Sequence, residues 1–224
     1  MNEETHENGW GIAGYLGNWT VHFGRSERSV LTDVKHYVSA VERAIKSRSR
    51  IVLAHLRNAS IGEINICNTH PFIHKEWVFS HNGTIYNPEK IAISGHMYEG
   101  STDSEKFFSY LINNLSHKSI NDFSKVIRNS IQYIKSKFKT TSLTFLLSNG
   151  DYLMGFRDFS QDEYYYTMYF KKEDDLFMFC SEPLNSGEWI PMKNGQLIII
   201  NKFGEVINDT IIQASSFTPY VASN

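Results

Sequence analysis

The stretch Glu76-Trp77-Val78-Phe79-Ser80-His81-Asn82-Gly83 gives the clearest indication of the fold. Aromatic and β-branched side chains fit a pleated, partly buried surface, so its first residues predict a strand. Asn-Gly is a common turn signal, and the strand is therefore expected to end at Asn82-Gly83. The stretch thus predicts a strand whose end carries an amide side chain and a glycine.

Working outward toward the N-terminus, the pattern predicts a hairpin, a helix and a further strand. Residues 9–16 and 19–25 are aromatic and β-branched runs joined by Gly17-Asn18, which is typical of a hairpin. Apolar residues then recur at helical spacing over about 29–46, which predicts an amphipathic helix. Residues 50–56 read as a strand, and Arg57 follows it directly.

Toward the C-terminus, the pattern predicts two helices and then several hairpins. One helix is expected to start near Asp103, and a longer one to cover about 119–138. The strands expected after them cover 142–147, 152–156, 164–170, 176–180, 196–201 and 205–207. Strands, helices and strands in that order indicate antiparallel sheets with segregated helices, which is a layered α+β architecture.

Composition favours one globular domain over residues 1–224. Hydrophobic residues make up 41% and charged residues 21%, and the net charge of -2 does not favour nucleic acid or an anionic membrane surface. No apolar run approaches the length of a membrane span, and the acidic, polar first residues do not resemble a secretory signal. Cys67 and Cys180 form no metal or redox spacing, so we expect a reduced, cytoplasmic setting.

Two charged residues are candidates for binding the ends of a free amino acid. Arg57 follows an apolar strand, and its planar guanidinium matches a carboxylate in two parallel hydrogen bonds. The alternative is an ordinary salt bridge within the protein. Asp103 lies in Thr102-Asp103-Ser104-Glu105, which reads as a capping box, so this carboxylate either binds a ligand ammonium group or merely begins a helix.

Asn82 and Gly83 are candidates for an oxyanion hole. A glycine lets the backbone N–H approach a ligand closely, and the neighbouring amide can donate a second hydrogen bond. Two such donors would stabilise the negative charge of an acyl-transfer intermediate. The alternative is that Asn82-Gly83 is a plain turn and that His81 is a hydrogen-bonded core histidine.

Taken together, the motifs resemble the glutaminase domain of class II glutamine amidotransferases, and more narrowly its stand-alone bacterial members of the YafJ type. Each motif alone is weak, but their order along the chain is specific. The motifs are His6-x-Asn8-Gly9-Trp10-Gly11, Ala54-His55-x-Arg57, Gly62-Glu63, Asn68-Thr69-His70-Pro71-Phe72, His81-Asn82-Gly83 and Ser101-Thr102-Asp103-Ser104-Glu105.

The resemblance implies the fold of the N-terminal nucleophile hydrolases, a four-layer α-β-β-α sandwich, here without its first strand and helix. It implies that a terminal cysteine thiolate attacks the side-chain amide of glutamine or a γ-glutamyl compound, with its own α-amine as the base. Neither a metal nor an organic cofactor is suggested, and the ammonia released would pass to a partner enzyme or simply accompany hydrolysis.

The resemblance also assigns roles to individual residues. Arg57, helped by Ser60, would hold the substrate α-carboxylate, and Asp103 would hold its ammonium group. Asn82 and Gly83 would form the oxyanion hole, with His81 beside them in the substrate site. His70 is expected to be either a supporting partner or loop structure, and loop structure is the simpler interpretation.

The sequence departs from the family pattern at its start. No Cys, Ser or Thr follows Met1, and only eight residues precede the strand that begins at Gly9. Three explanations stay open: a truncated record of a working glutaminase, an inactive relative that binds an amino acid or a partner, or a nucleophile supplied by a separate polypeptide. Without the first segment, an uncovered sheet edge predicts poor solubility.

Overall fold

The structure is a computed structural model that describes residues 6–94 and 98–213. The start of the chain, where the family resemblance expects the nucleophile, lies outside the described residues. Three α-helices occur in the described part: α1 (Val34–Ser47), α2 (Asp103–Leu115) and α3 (Ile120–Lys137). The strands are β1 (Trp10–Leu16), β2 (Trp19–Ser26), β3 (Val52–Leu56), β4 (Phe72–His74), β5 (Trp77–Asn82), β6 (Thr144–Ser148), β7 (Tyr152–Phe156), β8 (Tyr169–Glu173), β9 (Leu176–Cys180), β10 (Ile190–Pro191), β11 (Gln196–Asn201) and β12 (Val206–Ile211).

A six-stranded antiparallel sheet forms the centre of the molecule, with strand order β12-β11-β7-β6-β5-β4. Helices α2 and α3 cover one face of this sheet. The core between them is rich in stacked aromatic side chains, such as Phe79 against Phe108 with ring centroids 5.1 Å apart. Because side chains alternate along a strand, the neighbours of Phe79 in β5, Val78 and Ser80, point to the other face.

Two three-stranded sheets lie side by side on that other face, with orders β2-β1-β3 and β10-β8-β9. Ala13 and Leu53 of the first sheet pack on Val78, while Met168 beside the second packs on Ile198. Leu146 and Leu153 contact both groups, so they lie beneath the junction of the two sheets.

Helix α1 forms the fourth layer, on the outside of the β2-β1-β3 sheet. Its core is small and centres on Trp10, Ile12, Phe23 and Ala40. The order helix, sheet, sheet, helices confirms the predicted four-layer α-β-β-α sandwich. Within the described part of the chain, no helix combines the length and apolarity needed to cross a membrane.

Several predicted boundaries were wrong. The first helix begins at Val34 rather than near 29, because the backbone N–H groups of Thr32 and Asp33 turn back to the carbonyl of Ser29. The strand predicted at 164–170 begins at Tyr169, since Asp162 has a φ of 62° and its carbonyl accepts the N–H groups of Tyr165 and Tyr166. Strand β12 runs to Ile211, and the short strands β4 and β10 were missed.

Candidate functional site

The predicted site residues line one cavity of about 760 Å³. It lies where the ends of β3 and β5 meet the start of α2, and it extends to the end of β9. The six residues that the sequence singled out there are Arg57, Ser60, His81, Asn82, Gly83 and Asp103. The structure therefore brings together residues that are up to 46 positions apart in the sequence.

Arg57 is a buried cation that is held by neutral groups. Its side chain is 3% exposed, and its guanidinium donates to backbone carbonyls of the loop that follows, those of Ile61, Gly62 and Glu63, at 3.2–3.4 Å. Among the described residues no carboxylate lies within ion-pair distance of it. Burial lowers the pKa of Arg57, and the charge of Asp103 opposes that shift. The alternative of an internal salt bridge is therefore not what the structure contains.

Asp103 occupies the first turn of α2, directly after the N-cap Thr102, whose hydroxyl accepts the N–H of Glu105 at 3.1 Å. Its carboxylate is 2% exposed and accepts the Ile85 N–H at 2.7 Å. Burial raises the pKa of Asp103 to about 6, although this hydrogen bond and Arg57 pull it down. The carboxylate thus begins a helix and also faces the cavity.

The predicted capping box forms only in part. Thr102 caps the helix as expected. The Glu105 carboxylate, however, accepts the backbone N–H groups of Glu99 and Gly100, at 2.9 and 2.7 Å. It therefore fixes the segment before the helix.

Gly83 is required by its surroundings at the end of β5. Its φ is 152°, and a Cβ there would lie 2.1 Å from the carbonyl oxygen of Ser142. Neither the turn nor this close approach accepts a side chain. In the described part of the chain the Gly83 N–H has no acceptor. The turn thus offers a backbone donor beside the Asn82 side chain at the cavity wall.

His81 and Ser60 line the cavity and also form hydrogen bonds within the protein. The Nε2–H of His81 donates to the Ser142 carbonyl at 3.3 Å, so its Nδ1 accepts the Ser104 hydroxyl at 2.9 Å. Burial lowers the pKa of His81 to about 4, which keeps the ring neutral. This geometry favours support of the turn over direct ligand contact. The Ser60 hydroxyl accepts that of Thr84 at 2.9 Å.

Three further polar residues line the cavity: His70, which the sequence left open between a supporting role and loop structure, and His55 and Ser80, to which it gave no role. The rings of His55 and His70 lie 4.4 Å apart, and burial lowers the pKa of His55 to about 3 and that of His70 well below its usual value. Both ring nitrogens of His70 and the hydroxyl of Ser80 are buried and find no hydrogen-bond partner among residues 6–94 and 98–213. For Ser80, the signal in the sequence was a serine within the otherwise apolar first part of strand β5.

The cavity combines a cation, an anion and neutral hydrogen-bonding groups. Arg57 and Asp103 supply opposite charges, which suits a ligand that carries both a carboxylate and an ammonium group. The Gly83 N–H and the Asn82 amide suit a carbonyl oxygen on the same ligand. Within residues 6–94 and 98–213, no cluster of three His, Cys, Asp or Glu residues is arranged to hold a metal ion.

Comparisons with known proteins agree on one family. The family model of class II glutamine amidotransferases matches residues 1–219. A Haemophilus influenzae protein whose name gives it as a glutamine amidotransferase is 30% identical to this chain over 238 residues. The match covers 93% of this chain and 78% of the relative. An uncharacterised protein of Methanocaldococcus jannaschii is 28% identical over 91% of this chain, which spans 63% of that relative.

A solved structure supports the same fold. Glutamine phosphoribosylpyrophosphate amidotransferase of Bacillus subtilis superposes with a TM-score of 0.68 at 17% sequence identity. The match covers 95% of this chain and 45% of the solved chain. The four layers are thus those of the N-terminal nucleophile hydrolase fold. With the family model matching nearly the whole sequence, the chain belongs to the class II glutamine amidotransferases.

Proposed function

We propose that the cavity binds glutamine or a related γ-glutamyl amide and that the protein cleaves the side-chain amide. The observation that carries this proposal is that Arg57 and Asp103 line the same cavity. Among the described residues, neither has a counter-ion within ion-pair distance. A zwitterionic ligand would supply both missing charges. Its side chain would then extend toward Asn82 and Gly83.

The proposed reaction is acyl transfer to a cysteine thiolate. The thiolate attacks the amide carbon, and the negative charge that develops on its oxygen is stabilised by the Gly83 N–H and the Asn82 amide. The carbon–nitrogen bond breaks, ammonia leaves with a proton from the base, and water hydrolyses the thioester to the free acid. Because both ends of the substrate are held, the attack occurs in a positioned complex.

The two cysteines of the chain fit the nucleophile role poorly. Cys180 lines the cavity, yet burial raises the pKa of its thiol, and a thiol is a weak nucleophile. Cys67 is not a cavity residue. In the family, the resemblance implies a terminal cysteine as the nucleophile. The proposal extends to a cytoplasmic setting and to an ammonia-accepting partner enzyme.

Calorimetric titration with three ligands tests the cavity. Glutamine carries both charged ends, γ-aminobutyramide lacks the carboxylate and glutaramate lacks the ammonium group. Arg57→Ala is expected to weaken glutamine binding tenfold or more, on the order of a lost charged hydrogen bond, without weakening γ-aminobutyramide. Asp103→Asn should likewise weaken glutamine but not glutaramate.

Arg43→Ala is the matched control, because this arginine donates to the Phe23 carbonyl on the α1 side and does not line the cavity. It should leave all three affinities unchanged. If both site variants bind glutamine as well as the parent, the proposed function is wrong. Binding without release of ammonia from glutamine would instead indicate an amino-acid-binding module.

A further inference from the structure

We propose that Ser142 is a positioning residue that aims the Gly83 N–H into the cavity, an inference that rests on the proposed function. Ser142 is fully buried and does not itself line the cavity. Its hydroxyl donates to the carbonyl of Asn82 at 2.9 Å. It therefore acts on the peptide group that joins Asn82 to Gly83.

The geometry of a peptide group explains how this contact acts. The carbonyl of Asn82 and the N–H of Gly83 belong to one planar unit, which is trans here, so the two point in opposite directions. With the carbonyl held against buried Ser142, the N–H must face away from the interior, where Gly83 lines the cavity. Holding the acceptor thus fixes the direction of the donor.

The Ser142 hydroxyl has a single proton and two carbonyls within reach. It lies 2.9 Å from the carbonyl of Asn82 and 2.6 Å from that of Asp158. The hydroxyl of Thr144 also donates to the Asp158 carbonyl, at 2.8 Å. The Ser142 proton is therefore shared between the two carbonyls, and the bond from Thr144 lessens the demand of Asp158 on it.

Ser142 is itself held firmly from both sides. The Asp158 carboxylate accepts the N–H of Leu143 at 3.1 Å and forms a buried ion pair with Lys135 at 2.5 Å. On the other side, the ring of His81 donates to the Ser142 carbonyl at 3.3 Å. The hydroxyl therefore has a fixed position against which the turn is set.

Two measurements on the full chain test the role of Ser142. The first is the orientation of the Gly83 N–H bond in the ligand-free protein, from residual dipolar couplings. The second compares glutamine with norvaline, which has the same charged ends but no amide. Ser142→Ala is expected to reorient the Gly83 N–H and to weaken glutamine about fivefold, on the order of one hydrogen bond, with norvaline unchanged.

Ser148→Ala is the matched control, because Ser148 is equally buried at the far end of β6, where it accepts the Tyr15 hydroxyl and the Gly150 N–H. It should change neither measurement. If Ser142→Ala does not fold, Thr144→Val should produce the same changes at smaller size.

An unchanged Gly83 orientation overturns the inference, whatever the ligands do. So does an equal loss of glutamine and norvaline, since that indicates general loosening. A parent chain that binds neither ligand contradicts the proposed function, and the dipolar couplings then still decide the role of Ser142.

Discussion

The two helical layers differ in how they cover their sheets. On the α2/α3 side, an extended core of aromatic and aliphatic residues fills the space, and Phe107, Leu111 and Ile127 are fully buried. On the α1 side the buried core is small, and α1 still exposes Val38 at 48% and Ile45 at 72%. Burial of apolar area is the main stabilising term in folding, so the α2/α3 side is expected to contribute most of the stability.

The cavity borders the less covered side, where Val30, Leu31 and Tyr37 are among its lining residues. In the described part of the chain, β3 pairs along one edge with β1, and Val52 and Leu56 remain 41% and 40% exposed. The charged residues Arg57 and Asp103 lie where β3 meets the well-packed sheet and helix α2. The candidate site is thus anchored by the larger core and bordered by the thinner layer.

The largest expected effect is on the α2/α3 core. Phe107→Ala should lower the free energy of unfolding by about 3–5 kcal/mol, because it leaves a cavity in a closely packed region. Ile45→Ala, on the exposed face of α1, should change it by less than about 0.5 kcal/mol. Urea denaturation measures both. Similar losses would show that the two layers contribute equally.

The next effect is the pH dependence that Asp103 causes. Its pKa rises from 3.8 to about 6 on folding, so between these values the native state binds more protons than the unfolded state. The contribution of Asp103 to the free energy of unfolding therefore falls by about 3 kcal/mol as pH rises through this interval and is level above it, while the buried neutral rings of His55, His70 and His81 contribute in the opposite sense.

Asp103→Asn should remove this slope, which denaturation at pH 4, 5, 6 and 7 would detect as a difference from the parent. Glutamine affinity should behave in the opposite sense and weaken below about pH 6, because a protonated Asp103 cannot pair with an ammonium group. A parent and a variant with parallel pH profiles would contradict both expectations.

A smaller effect on stability is expected at two turns that contain glycine, those at Gly83 and Gly17. Gly83→Ala should cost about 1–3 kcal/mol and abolish measurable glutamine binding, since the new Cβ meets the Ser142 backbone. Gly17→Ala is the comparison: Gly17 has a φ of 58° in the β1–β2 hairpin, and no atom of the described residues lies within 4 Å of a new Cβ. It should cost about 1 kcal/mol and leave binding intact. Calorimetry distinguishes the two.

The smallest effect on stability is expected at the exposed edge of β3. Val52→Lys should change the free energy of unfolding little but reduce self-association, because a charged side chain discourages pairing between sheet edges. Light scattering over a concentration series measures this. A monodisperse parent chain would contradict the expected poor solubility.

The layered fold was predictable from the sequence because its local signals agree with the tertiary structure. The 9–25 hairpin has a glycine turn, and the helices after Asp103 have regular apolar spacing. Short β10 has no such pattern, since its two residues are held through pairing with β8. The start of α1 was misjudged because Val30 fits the helical spacing although it lies in a turn.

The site was predictable as a set of residues but not as a network. Arg57, Asn82, Gly83 and Asp103 follow from strand ends and a helix start, where chemistry-bearing residues stand out. The support from Ser142 and Asp158 depends on contacts between distant segments, which no local pattern reveals. His81 shows the same limit, because its two hydrogen bonds come from residues 23 and 61 positions away.

The backbone carbonyls that surround the Arg57 guanidinium have a consequence for which substitutions this loop tolerates. Its acceptors are main-chain oxygens of Ile61, Gly62 and Glu63, so the identities of Ile61 and Glu63 matter little to the guanidinium. What matters is the course of the backbone, which Gly62 permits with its φ of 86°. The cradle for the cation therefore depends on the course of the main chain rather than on the side chains of Ile61 and Glu63.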